Sequence, residues 1–186
     1  MEVEKLVNDY DINLRFAPFF LDPTIPPEGK ERKRQTGPDD PPTHLEQRAA
    51  DVGLTMTRGR TWTPNSHLAL QAGEFAQEHG DAKRFHWRMF KAFFEDLENI
   101  GDLDTIVRLG KEAGLDEATL RQALEDGTYR QQVDDGIAWA RAVGVTGVPT
   151  FIFEDQWAIV GAQDYNVFQS IMSKLGKEPG GNGNSG

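Results

Sequence analysis

At 186 residues, with 38% hydrophobic and 27% charged side chains, the sequence suffices for one globular domain with a real core. Its net charge of −10 argues against a nucleic-acid partner. No apolar run approaches the ~18–20 residues that span a bilayer, so no membrane partner is expected. Cysteine is absent, which excludes disulfides, thiolate metal sites and a thiol nucleophile within these residues.

In chain order, Val3, Leu6, Val7 and Tyr10 recur at helical spacing and predict an opening helix. The acidic stretch MEVEKLVNDYD around them is unlike a secretory signal, and a cytoplasmic location is expected. Ile12, Leu14 and Phe16 alternate, which predicts a strand over Ile12–Phe20 that Pro18 keeps short. Residues 22–42, rich in proline, glycine and charge, read as a loop. The basic run Gly29–Arg34 within it reads as solvated chain rather than an anion patch.

Helices dominate the middle. Thr43-x-x-Glu46 is a capping box for a helix ending near Gly53. Thr63-Pro64 places a cap before a proline at the first helical position. Leu68, Ala72, Phe75 and Ala76 then form the inward stripe of a helix reaching His79. Phe85, Met89, Phe90, Phe93, Phe94 and Leu97 mark a helix expected to lie largely in the core. The next helix runs from Asp102 to Gly114, and Asp116 caps another whose Leu115 and Leu120 are spaced as a hydrophobic staple. Thr128-x-x-Gln131 reads as a second capping box, opening a helix through Val133, Ile137 and Ala140 that stops at Gly144.

Two apolar runs follow, Thr150–Phe153 and Trp157–Val160, separated by Glu154-Asp155-Gln156. They predict a β-hairpin that starts at Pro149, a residue unable to donate within a ladder. Asp164 caps a last helix whose Phe168, Ile171, Met172 and Leu175 face inward. The tail 176–186 has nothing to bury and is expected to be disordered.

Gly-Val-Pro-Thr at Gly147–Thr150, the hairpin after it and Gly161-Ala162-Gln163 resemble the C-terminal part of DsbA-like thioredoxin-fold proteins, especially their cytoplasmic FrnE-like branch. The stretches Phe16–Gly29 and Trp62–Ala76, the helical run Ala82–Leu115 and the final helix extend the resemblance over most of the chain. It implies an α/β thioredoxin-like fold with a mixed sheet and an inserted all-α subdomain. Residues 1–20 and 144–175 would form the sheet portion and 43–143 the helical insert. It also implies a cis Val148-Pro149 bond, and Thr146, Gly147, Val148 and Pro149 as a ledge for an extended peptide or thiol substrate.

In that family a first strand delivers a Cys-x-x-Cys pair to the following helix, whose dipole lowers the thiol pKa. This sequence begins partway along the corresponding helix, so the fold is expected to be N-terminally truncated and inactive in redox chemistry as built. A central strand would then be missing, leaving sheet edges for self-association or a weakened sheet. Two alternatives accompany the oxidoreductase-family reading: a non-catalytic peptide-binding module, and a relative of 2-hydroxychromene-2-carboxylate isomerases or kappa-class glutathione transferases.

Asn65 and Gln163 stand as possible ligand contacts by the same resemblance. His44, His67, His79 and His86 are scattered without a His-x-x-x-His pair, and no metal or other cofactor is expected.

Overall fold

The computed structural model describes residues 2–33, 37 and 39–180. Residues 34–36 and 38 of the expected loop, and 181–186 of the expected disordered tail, lie outside the described residues. The chain divides into two compact units, one of residues 1–21 and 140–186, the other of residues 22–139.

The second unit is helical. Its elements are β1 (Lys30–Glu31), α2 (His44–Asp51), β2 (Trp62–Thr63), α3 (His67–His79), α4 (Ala82–Phe94), α5 (Leu103–Glu112), α6 (Glu117–Glu125) and most of α7 (Arg130–Ala142). Thr43 and Glu46 form the reciprocal box that opens α2. Asp81, Asp102 and Asp116 each accept from the backbone three residues on, which satisfies an N–H that the helix leaves orphaned. The inward faces of α3 to α6 meet around Phe75, Phe85, Ile106, Leu109 and Leu120, all essentially inaccessible to water. Leu115 and Leu120 are both buried, as a staple requires.

Four details differ from the sequence reading. The loop 22–42 contains β1, which pairs antiparallel with β2. That ladder holds Thr63 extended opposite Lys30, so Thr63 does not cap α3. The helix starts at His67 behind Ser66, and Asn65 Oδ1 accepts from His67 N at 2.9 Å. In α4 only Phe85, Met89 and Ala92 are buried, because apolar residues at consecutive positions cannot share one helical face. Phe90 lies 44% exposed, its ring 6.3 Å from that of Phe94. The Thr128 box does not form: α7 begins at Arg130, and the Gln131 amide donates forward to Asp135 instead.

The first unit comprises α1 (Glu2–Asp9), the end of α7, β3 (Thr150–Phe153), β4 (Trp157–Val160) and α8 (Tyr165–Lys174). Gly144 closes α7 with φ +85°, a left-handed conformation that suits glycine, while Val145 N reaches back to Ala140 O. The Val148-Pro149 peptide bond is cis. Strands β3 and β4 pair antiparallel, Phe151 opposite Ile159 and Phe153 opposite Trp157. Glu154 and Asp155 turn the hairpin with φ +48° and +55°. Phe151 lies edge-on to Phe168 at 4.9 Å, within a core completed by Leu6, Tyr10, Ile159, Ile171 and Met172.

No strand forms over Ile12–Phe20, and among the described residues the sheets are two antiparallel ribbons rather than one mixed sheet. Alternation specifies an extended chain with two faces, but a strand also needs a neighbouring strand, and among the described residues no β-ladder includes residues 11–20. Asp164 holds the cap position of α8 without a side-chain cap bond. The start of the tail is tied down: Lys177 N donates to Met172 O, and Gly180 N to Asp9 O at 2.7 Å.

Candidate functional site

The hairpin and the turn before it carry the site residues expected from sequence. The bond from Gly161 N to Pro149 O, 2.8 Å, fixes the phase of the β3–β4 ladder. Thr150–Val160 and Ile152–Ala158 are therefore the pairs that exchange no hydrogen bonds. The N–H and C=O of Thr150 and Ile152 consequently point away from β4, along the outward edge of β3. Among the described residues no backbone group from another segment bonds to that edge.

The lead-in turn is open. A Cβ at Gly147 would meet nothing within 4 Å, and Val148 is 56% exposed. Thr150 Oγ1 donates to Gly147 O at 2.8 Å, which pins the turn to the start of the strand. Thr146, Gly147, Val148 and Pro149 thus run continuously into an unpaired strand edge. Gln163 lies beyond β4 and donates its amide back to Val160 O at 3.1 Å, closing its own turn.

Asn65 belongs to the helical unit, where both ends of its amide are engaged. Nδ2 donates to Ile25 O at 2.9 Å while Oδ1 caps His67 N, so the side chain clips the 22–29 segment to the start of α3.

Sequence reasoning misses a polar row on that same helix, buried at its middle. His67, Gln71, Glu74 and Glu78 follow one another at helical spacing, and Gln71 and Glu74 are only 2% and 3% exposed. His67 contacts Asp134 through Nε2 at 2.8 Å and the Gln71 amide through Nδ1 at 3.1 Å. Gln132 donates to Glu74, and the Tyr129 hydroxyl donates to Glu78 at 2.7 Å. Burial, reinforced by Glu78, pushes the Tyr129 hydroxyl up to about 12, so it remains a donor at any ordinary pH. The row straps α3 to Tyr129 and α7. Its signal lies in the polar residues set beside the Leu68-Ala72-Phe75 stripe.

The four histidines do not converge: His79 meets Tyr129 at 3.0 Å, and no group of three metal-ligating side chains occurs among the described residues. No helix is long and apolar enough to cross a membrane.

A family model described as the DSBA-like thioredoxin domain matches residues 1–173. Among curated proteins, the uncharacterized protein YwbO of Bacillus subtilis (strain 168) is 30% identical over 179 residues, covering 91% of this chain and 86% of that one. Among solved structures, a probable DsbA oxidoreductase of Streptomyces coelicolor aligns with a TM-score of 0.65 at 27% identity. That alignment covers 71% of this chain and 58% of the Streptomyces chain, so this chain spans under two thirds of that structure's length.

Proposed function

This chain belongs to the DSBA-like thioredoxin domain family, and from that membership we propose that it is a cytoplasmic binding module of the FrnE-like branch, receiving extended polypeptide segments. The outward edge of β3 carries this reading. An extended segment laid against it gains main-chain hydrogen bonds from Thr150 and Ile152, the mode known as β-augmentation. The open turn Thr146–Pro149 forms the ledge ahead of that edge, and Val148 offers it an apolar contact. The branch, and with it the compartment, rests on the resemblance of Gly147–Thr150, the hairpin after it and Gly161-Ala162-Gln163.

The segment would be held rather than oxidised. Thiol–disulfide exchange begins with attack by a thiolate, and these 186 residues contain no cysteine. In an insulin-reduction assay the chain is expected to give no turnover above a cysteine-free control.

Anisotropy of a fluorescein-labelled, cysteine-free unfolded peptide tests the binding. Saturable binding is expected, and Ile152→Pro should abolish it by removing an outward donor while sparing the ladder bonds to β4. Binding that survives Ile152→Pro in a folded variant, or no binding at all, refutes the reading. Sedimentation equilibrium decides whether a second copy of the chain occupies the edge instead.

A further inference from the structure

In the helical unit, a cavity of about 360 Å³ opens between α2, the segment 56–60 and the end of α4. Met56, Phe93, Phe94 and Leu97 give it an apolar wall, while Arg32, Glu46, Arg58 and Arg60 bring charge to it.

Two of these charges are spent on each other. Arg58 Nε and Nη2 form a bidentate pair with Glu46, both at 2.7 Å. Its remaining N–H groups donate to the carbonyls of Gly37, Asp40 and Pro41 at 2.7–3.0 Å. All five guanidinium donors are therefore engaged, and Arg58 is a clamp that holds Gly37, Asp40 and Pro41 to Glu46. Glu46 accepts in addition from Thr43 N at 2.6 Å, which leaves the carboxylate well neutralised.

Arg60 is the opposite case. Its guanidinium lies over the Phe93 ring, 3.8 Å from the centroid, and makes no hydrogen bond or ion pair with any described residue. Nη2 is shut off from water and has no acceptor among the described residues. Burial, and then the like charge of Arg32, both oppose the cation, yet a guanidinium stays protonated at any ordinary pH. A part-buried cation without an acceptor is costly, and proteins ordinarily supply its partner. Here the described chain supplies only the Phe93 face, and the in-plane donors remain unused.

We propose that this cavity binds a small organic carboxylate with an aromatic or acyl body, Arg60 supplying the charge that meets the carboxylate and Phe93, Phe94 and Met56 the apolar bed. Three features favour that class. A guanidinium stacked by one face on an aromatic ring keeps its remaining edge for an in-plane anionic acceptor. One such cation matches a monoanionic carboxylate, whereas a phosphate dianion calls for more charge and more donors. The cavity volume also lies at the lower end of the roughly 300–1,000 Å³ usual for ligand pockets, room for a compact body. A net charge of −10 gives the chain no general attraction for anions, so selectivity must arise inside the cavity. This inference is independent of polypeptide binding at β3.

Calorimetric titration of the full chain with 2-naphthoate, its neutral counterpart 2-naphthamide and phenyl phosphate provides the test. Saturable one-to-one binding of 2-naphthoate is expected, with the amide weaker by about tenfold or more, the loss of a charge-assisted hydrogen-bonded pair. Arg60→Gln should bring 2-naphthoate down to the level of the amide. The proposal is overturned by equal affinity for the acid and the amide, by no binding of the acid, by unchanged affinity in Arg60→Gln, or by phenyl phosphate binding more tightly than 2-naphthoate. Should Arg60→Gln fail to fold, the acid-to-amide ratio on the unaltered chain settles the matter alone.

Discussion

In the helical unit, four helices start behind a side chain that bonds their own first turn: Thr43, Asp81, Asp102 and Asp116. In the other unit, α8 starts behind Asp164 with no such bond, and its first residue, Tyr165, instead donates its hydroxyl to Asp9. Those partners are 156 positions apart in sequence. The surface of the helical unit also carries a charge network. Arg88 and Arg108 share Glu112, and each also pairs with Glu98. Helix starts in one unit are thus marked by short-range signals, whereas the start of α8 in the other leans on a contact that forms only after distant segments meet. Loop-closure entropy opposes contacts of the second kind, and they should open first.

Truncating one core aromatic in each unit breaks this comparison most severely. Phe85 and Phe168 are both 1% exposed, and replacing either by alanine should cost ~3–5 kcal/mol. The distribution of the loss is what distinguishes them. Phe168→Ala removes the ring that Phe151 and Phe153 pack against, so amide protection in β3 and β4 should collapse while α5 and α6 stay protected. Hydrogen exchange reads this directly. Equal loss of protection in both units would show that they open together.

A smaller effect probes the fit of α5 against α6. A Cβ at Gly110 would lie 2.3 Å from Leu120 Cδ2, too close for any real contact. Gly110→Ala should therefore force a shift costing ~1–3 kcal/mol, measured by thermal melting. An unchanged melting temperature would mean that Leu120 moves aside freely and that the helical core is looser than its burial suggests.

What is legible in the sequence follows the same division. Asp102, Asp116 and the Thr43–Glu46 box announce helix starts because a cap is settled within four residues. The hairpin is legible because its two apolar runs are adjacent. The strand at Ile12–Phe16 is misread because alternation cannot say whether a neighbouring strand is present. Phe90 is misplaced because a run of phenylalanines does not show which helical face the core will take. Glu74 and Arg60 are the hardest to see. A glutamate and an arginine ordinarily face water, and only tertiary packing closes over the first and lays the second on Phe93. The family resemblance locates the Thr146–Pro149 turn, whereas nothing local marks the Arg60 cavity.

Capping gives the direct comparison of the two units. Asp102→Ala removes an acceptor 2.9 Å from Thr105 N and should destabilise by about 1 kcal/mol. Asp164→Ala removes no cap bond, and only a weak interaction with the helix dipole is lost, so the cost should be markedly smaller. Denaturant melts of the two variants check the pair. Equal costs would mean that the cap position, rather than the bond, carries the effect.

The smallest expected effect is on acid stability, and it belongs to the helical unit alone. The Arg58 guanidinium, helped by the Thr43 N–H, holds the Glu46 carboxyl down at about 2, from an ordinary 4.5. A depressed carboxyl stabilises the fold in its ionised form. Its contribution is therefore complete above pH 4.5 and is lost as the pH falls from there toward about 2. Over that window the amides of α2 should lose exchange protection, since Glu46 is at once the capping-box acid and the anchor of the Arg58 clamp. In Glu46→Gln the ion pair is absent at every pH, so α2 should be less protected near neutrality and its acid dependence should flatten. The screening of a pair this close to solvent keeps the change modest and makes it shrink further as salt is raised. If α2 in Glu46→Gln follows the same acid profile as the unaltered chain, other carboxylates govern that segment and the clamp is not what orders it.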